Sequence, residues 1–193
     1  MEILKERIRQ NGRIIGDEIL RVDSFLNHQI DVKLLQEMAE AIKTRFQDKE
    51  ITKIMTIEAS GIAIGCFVAQ VFDVPLVFAR KSQSKSLPPL VYTAKVESFT
   101  HHKISDIMIS EEFLGAGDKI LIVDDFLANG AALTGLISLV EAAGAELVGV
   151  SIAIEKAFQP GGSTLREQGV EIYSLARIAS MSETDGIVFA PDI

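Results

Sequence analysis

Positive charge is in short supply in this chain: 19 Lys and Arg stand against 27 Asp and Glu, a formal net charge of −8. A nucleic-acid interface or an anionic membrane face needs a basic footprint, so no nucleic-acid or membrane partner is expected. There is one cysteine, Cys66, with no partner for a disulfide and no metal-ligand spacing. It lies in an apolar pattern and is expected to be an inert core thiol in a reducing compartment. The three histidines, His28, His101 and His102, make no ligand set and are expected at the surface. No apolar run reaches transmembrane length, and the opening MEILKERIRQ is too charged for a signal peptide. The expected location is the cytoplasm.

What the chain does have is apolar material: 48% of its 193 residues are hydrophobic, enough for one sizeable core. A single domain over 1–193 is expected. Residues 2–10 look helical, ended by Asn11 and Gly12, and 13–22 suit one or two short strands. Asp31 is placed to cap a helix whose Leu34, Leu35, Met38, Ile42 and Phe46 recur at three and four residues. Strand and helix then alternate: strand 51–57, helix 62–72, strand 75–79, strand 120–123, helix 131–143 and strand 147–154. Between 79 and 119 a polar, proline-bearing loop (81–90) leads into β-like stretches at 91–99 and 106–109. Long loops in compact domains are often lids, and 81–105 is the expected one. A helix near 163–168 and a strand at 170–175 complete the reading.

The most informative stretch is 120–133, ILIVDDFLANGAAL. Ile120, Leu121, Ile122 and Val123 form the short apolar run of a central parallel strand. Asp124 and Asp125 follow as exposed acids at its carboxyl end, where open α/β sheets bind ligands. Ala128, Asn129 and Gly130 then open the helix, whose free amides suit phosphate. Two acids behind an apolar run have a plainer explanation, since strand ends are commonly acidic and Asp caps helices. The full order of strand, acids, small-residue loop and helix makes the functional reading the stronger.

That order resembles the phosphoribosyl-diphosphate (PRPP) signature of the type I phosphoribosyltransferases. The resemblance implies an α/β fold with a mostly parallel sheet, helices on both faces and a small hood from the N- and C-terminal segments, here 1–30 and about 156–193. It implies that Asp124 and Asp125 are catalytic and face the ribose hydroxyls. The loop Ala128, Asn129, Gly130, Ala131 and Ala132 would hold the 5′-phosphate. The family often has Thr or Ser in that loop; this chain leaves backbone amides and the Asn129 carboxamide. A second loop, Ala59, Ser60 and Gly61, would hold the diphosphate, although a strand-to-helix turn capped by Ser60 explains those residues about as well. Arg80 and Lys81, with Lys85 in the lid, would reach the diphosphate, while two cations at a strand end are more often simply solvated.

Residues 22–31, with Leu20 just before them, and the IEKAFQP segment at 154–160 resemble the members of this family that use xanthine. By that resemblance Leu20 packs at the base, Asn27 hydrogen-bonds it and Lys156 completes base selection. Phe158 could lie on the purine face or simply anchor the following turn. Magnesium would enter with PRPP rather than on protein side chains alone, and the assembly would be a homodimer. The implied reaction joins xanthine to PRPP, giving xanthosine monophosphate (XMP) and diphosphate. A transferase for guanine or hypoxanthine is the first alternative. A PRPP-sensing regulator is the second, disfavoured by the acidic balance and by the roughly thirty residues before the first strong helix.

Overall fold

The buried apolar runs line up side by side. The computed structural model describes residues 1–81, 90–98 and 103–193. Its central sheet has six strands: β3 (Lys53–Ile57), β4 (Leu76–Ala79), β7 (Lys119–Leu127), β8 (Glu146–Lys156), β9 (Ile172–Ser182) and β10 (Gly186–Phe189). Their order is β10-β9-β8-β7-β3-β4, parallel throughout except for β10 against β9. Alternate residues of β7 feed two separate cores. Leu121 and Val123 join one core with Leu35, Met38 and Ile64, and Ile120 and Ile122 join the other with Leu133, Leu136 and Val140. Burial on both faces is what makes these strands read as continuous apolar runs.

One face is covered by α1 (Glu2–Asn11), α2 (Val32–Arg45) and α3 (Ser60–Phe72). Asp31 caps α2 as predicted, its Oδ1 accepting from Leu34 N at 3.1 Å. The other face carries α4 (Ala131–Ala142) and the antiparallel hairpin of β5 (Val91–Ser98) and β6 (Lys103–Ser110), with α5 (Pro160–Glu167) beside them. A two-stranded ribbon, β1 (Arg13–Ile15) with β2 (Ile19–Arg21), and one π-helical turn, Asp23–Asn27, lie between α1 and α2. The terminal segments are tied together. Lys5 Nζ donates to Asp192 Oδ1 at 2.8 Å, and Gly16 N donates to Glu183 Oε1 at 2.7 Å.

Several boundaries differ from the sequence reading. β7 continues four residues past Val123, to Leu127, because β8 supplies a ladder partner as far as Leu127 opposite Glu155. β9 runs to Ser182 rather than ending near 175, and β10 pairs with it, an edge strand that periodicity did not reveal. α5 starts at Pro160, where a proline's missing N–H costs nothing. Cys66 is a correction: α3 buries Gly61, Ile64, Gly65, Val68 and Ala69, and its helical phase turns Cys66 to solvent. In the segment expected as a lid, 82–89 and 99–102 lie outside the described residues, so Lys85, His101 and His102 do too. Of the rest, 91–98 and 103–105 belong to the hairpin. Among the described residues no helix is long and apolar enough to cross a membrane.

Candidate active site

The chain runs from β3 to β4 on one side of the sheet and then returns to β7 on the other side of β3. The strand order therefore reverses between β3 and β7, and the crevice at their carboxyl ends is where such sheets bind ligands. Asp124 and Asp125 sit there. Asp124 is only 6% exposed, which corrects the expectation of two exposed acids; Asp125 is half-buried. The backbone closes around them: Asp125 N donates to Asp124 Oδ1 at 2.9 Å, and Phe126 N donates to Asp125 Oδ1 at 3.0 Å. Burial, and then the neighbouring Asp125 charge, hold the Asp124 carboxyl well above the usual carboxylate range, with Lys81 pulling the other way.

One loop follows this pair along the chain and another approaches it in space. In the loop 128–132, Gly130 adopts φ 87°, a left-handed conformation glycine takes without a Cβ penalty, and so starts α4 with no side-chain cap. Asn129 Oδ1 accepts from Ala131 N at 3.1 Å, so this carboxamide orders the helix start, and the amides that follow point outward from the helix end. The other loop is Ala59, Ser60 and Gly61, at the start of α3. A Cβ at Gly61 would lie 2.0 Å from Thr56 Oγ1 and 2.9 Å from Asp124 Oδ1, so only glycine lets this helix end approach the acid. Lys81 N donates to Glu58 Oε1 at 2.6 Å, holding the end of β4 against the same loop. Arg80 directly follows β4. Its Nε stands 3.9 Å from Glu58 Oε2, and it lines a groove of about 450 Å³ with Phe78, Met108 and Phe113 at the sheet edge.

The residues named for the base come from three elements. Asn27 ends the π-helical turn, and its Nδ2 donates to Asp125 Oδ2 at 3.3 Å, joining a base candidate to a ribose candidate 98 positions away. Lys156 ends β8 and donates through Nζ to the Glu18 carbonyl between β1 and β2. Burial pushes its ammonium down from the ordinary lysine value, against a smaller upward pull from Glu18. Leu20, 6% exposed, belongs to the same core as Leu35, Met38 and Ile64. Phe158 is 41% exposed, and the ring that meets Lys156 is Phe126, with Nζ 5.8 Å from its centroid. Phe126 pairs with Ile154, and Lys156, two residues further along β8, shares that face. No group of three or more His, Cys, Asp or Glu suited to a metal occurs among the described residues.

Residues 22–164 match the phosphoribosyl transferase domain. The chain belongs to the phosphoribosyltransferase family. It is 51% identical to a xanthine phosphoribosyltransferase of Lachnoclostridium phytofermentans over 193 residues, 100% of both chains. It is 54% identical to one of Ruminiclostridium cellulolyticum, covering 94% of this chain and 95% of that one. The fold is that of the adenine phosphoribosyltransferase of Thermoanaerobacter pseudethanolicus, with a TM-score of 0.74, 24% identity, and coverage of 90% of this chain and 99% of that one.

Sequence reasoning about this phosphoribosyltransferase gave no role to Phe126 or to Glu155. Phe126 lies inside the motif at 120–133 and Glu155 inside the segment at 154–160, and alternation along β7 and β8 was the available signal. Glu155 is an acid inside the apolar run VGVSIAIEK and is 1% exposed. It takes Arg166 Nη1 and Nη2 at 2.7 Å each, with Ser174 Oγ and Arg177 Nε as further donors. Burial pushes its carboxyl up, but the Arg166 and Ser174 hydrogen bonds and the Arg166 and Arg177 charges outweigh that and leave it below the ordinary glutamate value.

Proposed function

We propose that this phosphoribosyltransferase transfers the 5-phosphoribosyl group of PRPP to xanthine, giving XMP and diphosphate in cytoplasmic purine salvage. The single observation that carries the reading is the Asn27–Asp125 contact, which ties a base-side residue to the paired acids beside the phosphate loop. The two relatives named above, similar along essentially their whole lengths, support xanthine as the base.

In the reaction the bond from the ribose anomeric carbon to diphosphate breaks and a bond to a base nitrogen forms. Positive charge develops on the ribose between the two events, as in other glycosyl transfers. Asp124 and Asp125 would accept from the ribose hydroxyls and stabilise that charge. In the free protein Asp124 is biased toward its neutral form, and a cationic centre beside the pair would favour its loss of the proton. The amides of 128–132 would hold the 5′-phosphate, and Ala59, Ser60 and Gly61, with Lys81 and Arg80, the diphosphate. Lys156 and Asn27 would donate to the two carbonyl oxygens of xanthine, with Leu20 and Phe158 against the ring; adenine presents a donor where Lys156 needs an acceptor. The terminal segments 1–30 and 156–193 would form the hood over the base, and 81–105 the lid that excludes water.

Two adjacent carboxylates without further ligands fit a magnesium ion held mainly by diphosphate, hydroxyls and water, and not one held by protein alone. When bound it would neutralise charge on the leaving group. A homodimer is the assembly the family resemblance favours. The test is diphosphate release from PRPP and magnesium with xanthine, guanine, hypoxanthine, adenine or orotate offered separately. Strong preference for xanthine is expected; preference for another base would overturn the roles of Asn27 and Lys156. Absence of turnover despite PRPP binding would overturn the transferase reading itself.

A further inference from the structure

The loop 128–132 is held from outside as well as by its own Asn129. Its backbone rests on α5: Gly161 N donates to Ala128 O at 3.1 Å. A Cβ at Gly161 would lie 2.4 Å from Ala128 O, 2.4 Å from Gly130 N and 2.5 Å from Asn129 C. Looking from the loop, a Cβ at Gly130 would lie 3.1 Å from Gly161 Cα and 3.4 Å from Leu165 Cδ1. The two glycines thus meet backbone to backbone, an approach that any side chain at Gly161 would prevent.

A helix of eight residues has little stability of its own, so its position is set by what it packs against. Beneath it lies the buried Glu155. A Cβ at Gly162 would be 2.3 Å from Glu155 Oε1 and 2.8 Å from Arg166 Nη1, so the next glycine of α5 lets the helix settle directly on this ion pair. Both Arg166 donors bind Glu155 in a fork at 2.7 Å, which fixes orientation as well as distance. Glu155 has no part in the proposed chemistry, and burying a carboxylate is costly unless it is paired.

We propose that α5, locked to β8 by the Glu155–Arg166 fork, is the buttress that sets the geometry of the anion loop, with Gly161 as a positioning residue for PRPP. The proposal rests on the reading of 128–132 as the phosphate loop. It also places one buried ion pair at the root of both substrate sites, because Glu155 directly precedes Lys156 on β8.

The experiment compares wild type with Gly161→Ala, Arg166→Met and Arg166→Lys, measuring both KM values, kcat, the melting temperature and PRPP binding by calorimetry with magnesium. Gly161→Ala is expected to raise KM for PRPP about tenfold or more, the equivalent of one charge-assisted hydrogen bond to phosphate, with KM for xanthine little changed. Arg166→Met should act in the same direction. Arg166→Lys, which keeps the charge but not the fork, should recover part of the affinity and keeps the test open should Gly161→Ala not fold. Unchanged PRPP affinity in the folded variants would overturn the buttress and leave the phosphate loop standing. Equal rises in both KM values alongside a lower melting temperature would reduce α5 to general packing and overturn it as well. No PRPP binding by wild type would overturn the loop assignment itself.

Discussion

Asp124→Asn should make the ligand-free protein more stable at neutral pH while disabling it. Asn matches the volume of Asp, its Oδ1 can go on accepting the Asp125 amide now 2.9 Å away, and its amide group replaces the hydroxyl of a neutral carboxyl. Burial and the Asp125 charge raise the folded-state pKa of Asp124, so the native protein binds more protons than the unfolded chain across a window. The window opens at the ordinary aspartate value, about 3.9, and closes at the raised one. Inside it wild-type stability falls by about 1.4 kcal/mol for each pH unit; below it this penalty vanishes. The variant carries no such penalty. Its melting temperature should therefore match wild type most closely near pH 4.5 and pull ahead as the pH approaches 7, by about 2–4 °C for every 1 kcal/mol in a chain of this size. Activity should go the other way: loss of a charged acceptor for ribose hydroxyls, worth about 1.5–3 kcal/mol, lowers kcat/KM for PRPP about 10- to 150-fold. Calorimetric melts from pH 4.5 to 8, beside diphosphate-release kinetics, read both quantities. A melting difference that does not change with pH, or one that turns against the variant as pH rises, would refute the assignment of a buried acid held toward its neutral form.

Lys156→Ala should lower kcat/KM for xanthine about 10- to 150-fold, the worth of a charge-assisted hydrogen bond, while PRPP affinity stays close to wild type; equal losses for both substrates would count against a base-side role. Because burial lowers the Lys156 pKa, xanthine use should decline at a lower alkaline pH than an ordinary lysine allows, and Lys156→Ala should remove that limb from the pH profile. Asn27→Ala should raise KM for xanthine about 2- to 12-fold, as for one neutral hydrogen bond. It should not weaken PRPP binding, since each Asp125 oxygen keeps an acceptor site for ribose hydroxyls besides its present donor, and weaker binding would show that the 3.3 Å bond from Asn27 positions Asp125. Ser151 is fully buried in β8 with no hydrogen-bond partner for its hydroxyl among the described residues. Ser151→Ala removes an unpaired group that costs about 1–3 kcal/mol, so chemical denaturation should show equal or greater stability, and a loss above about 1 kcal/mol would reveal a partner for the hydroxyl.

Legibility followed the range of the interactions. The α2 cap and apolar face, the order of strands and helices from β3 to β8, and the acid-loop-helix motif could be read because each repeats or abuts within a few residues. Chain ends of strands could not. β7 and β8 extend past their apolar runs because each supplies the other's ladder, and a backbone ladder leaves no periodic mark once polar side chains begin. Cys66 was misread for a related reason, since a helix as apolar as α3 does not announce in its sequence which residues face out.

By itself the sequence determined the two-sided burial of the central strands and the placing of Asp124, Asp125 and the small-residue loop in one short segment, since adjacency along the chain is adjacency in space over such lengths. Only the tertiary structure decided that Asn27 reaches Asp125, that Phe126 rather than Phe158 lies under Lys156, that Asp124 is buried, and that Gly161 bears on the loop. Those relations depend on sheet order and crossover, which bring residues 30 to 98 positions apart into contact and which local propensity does not encode.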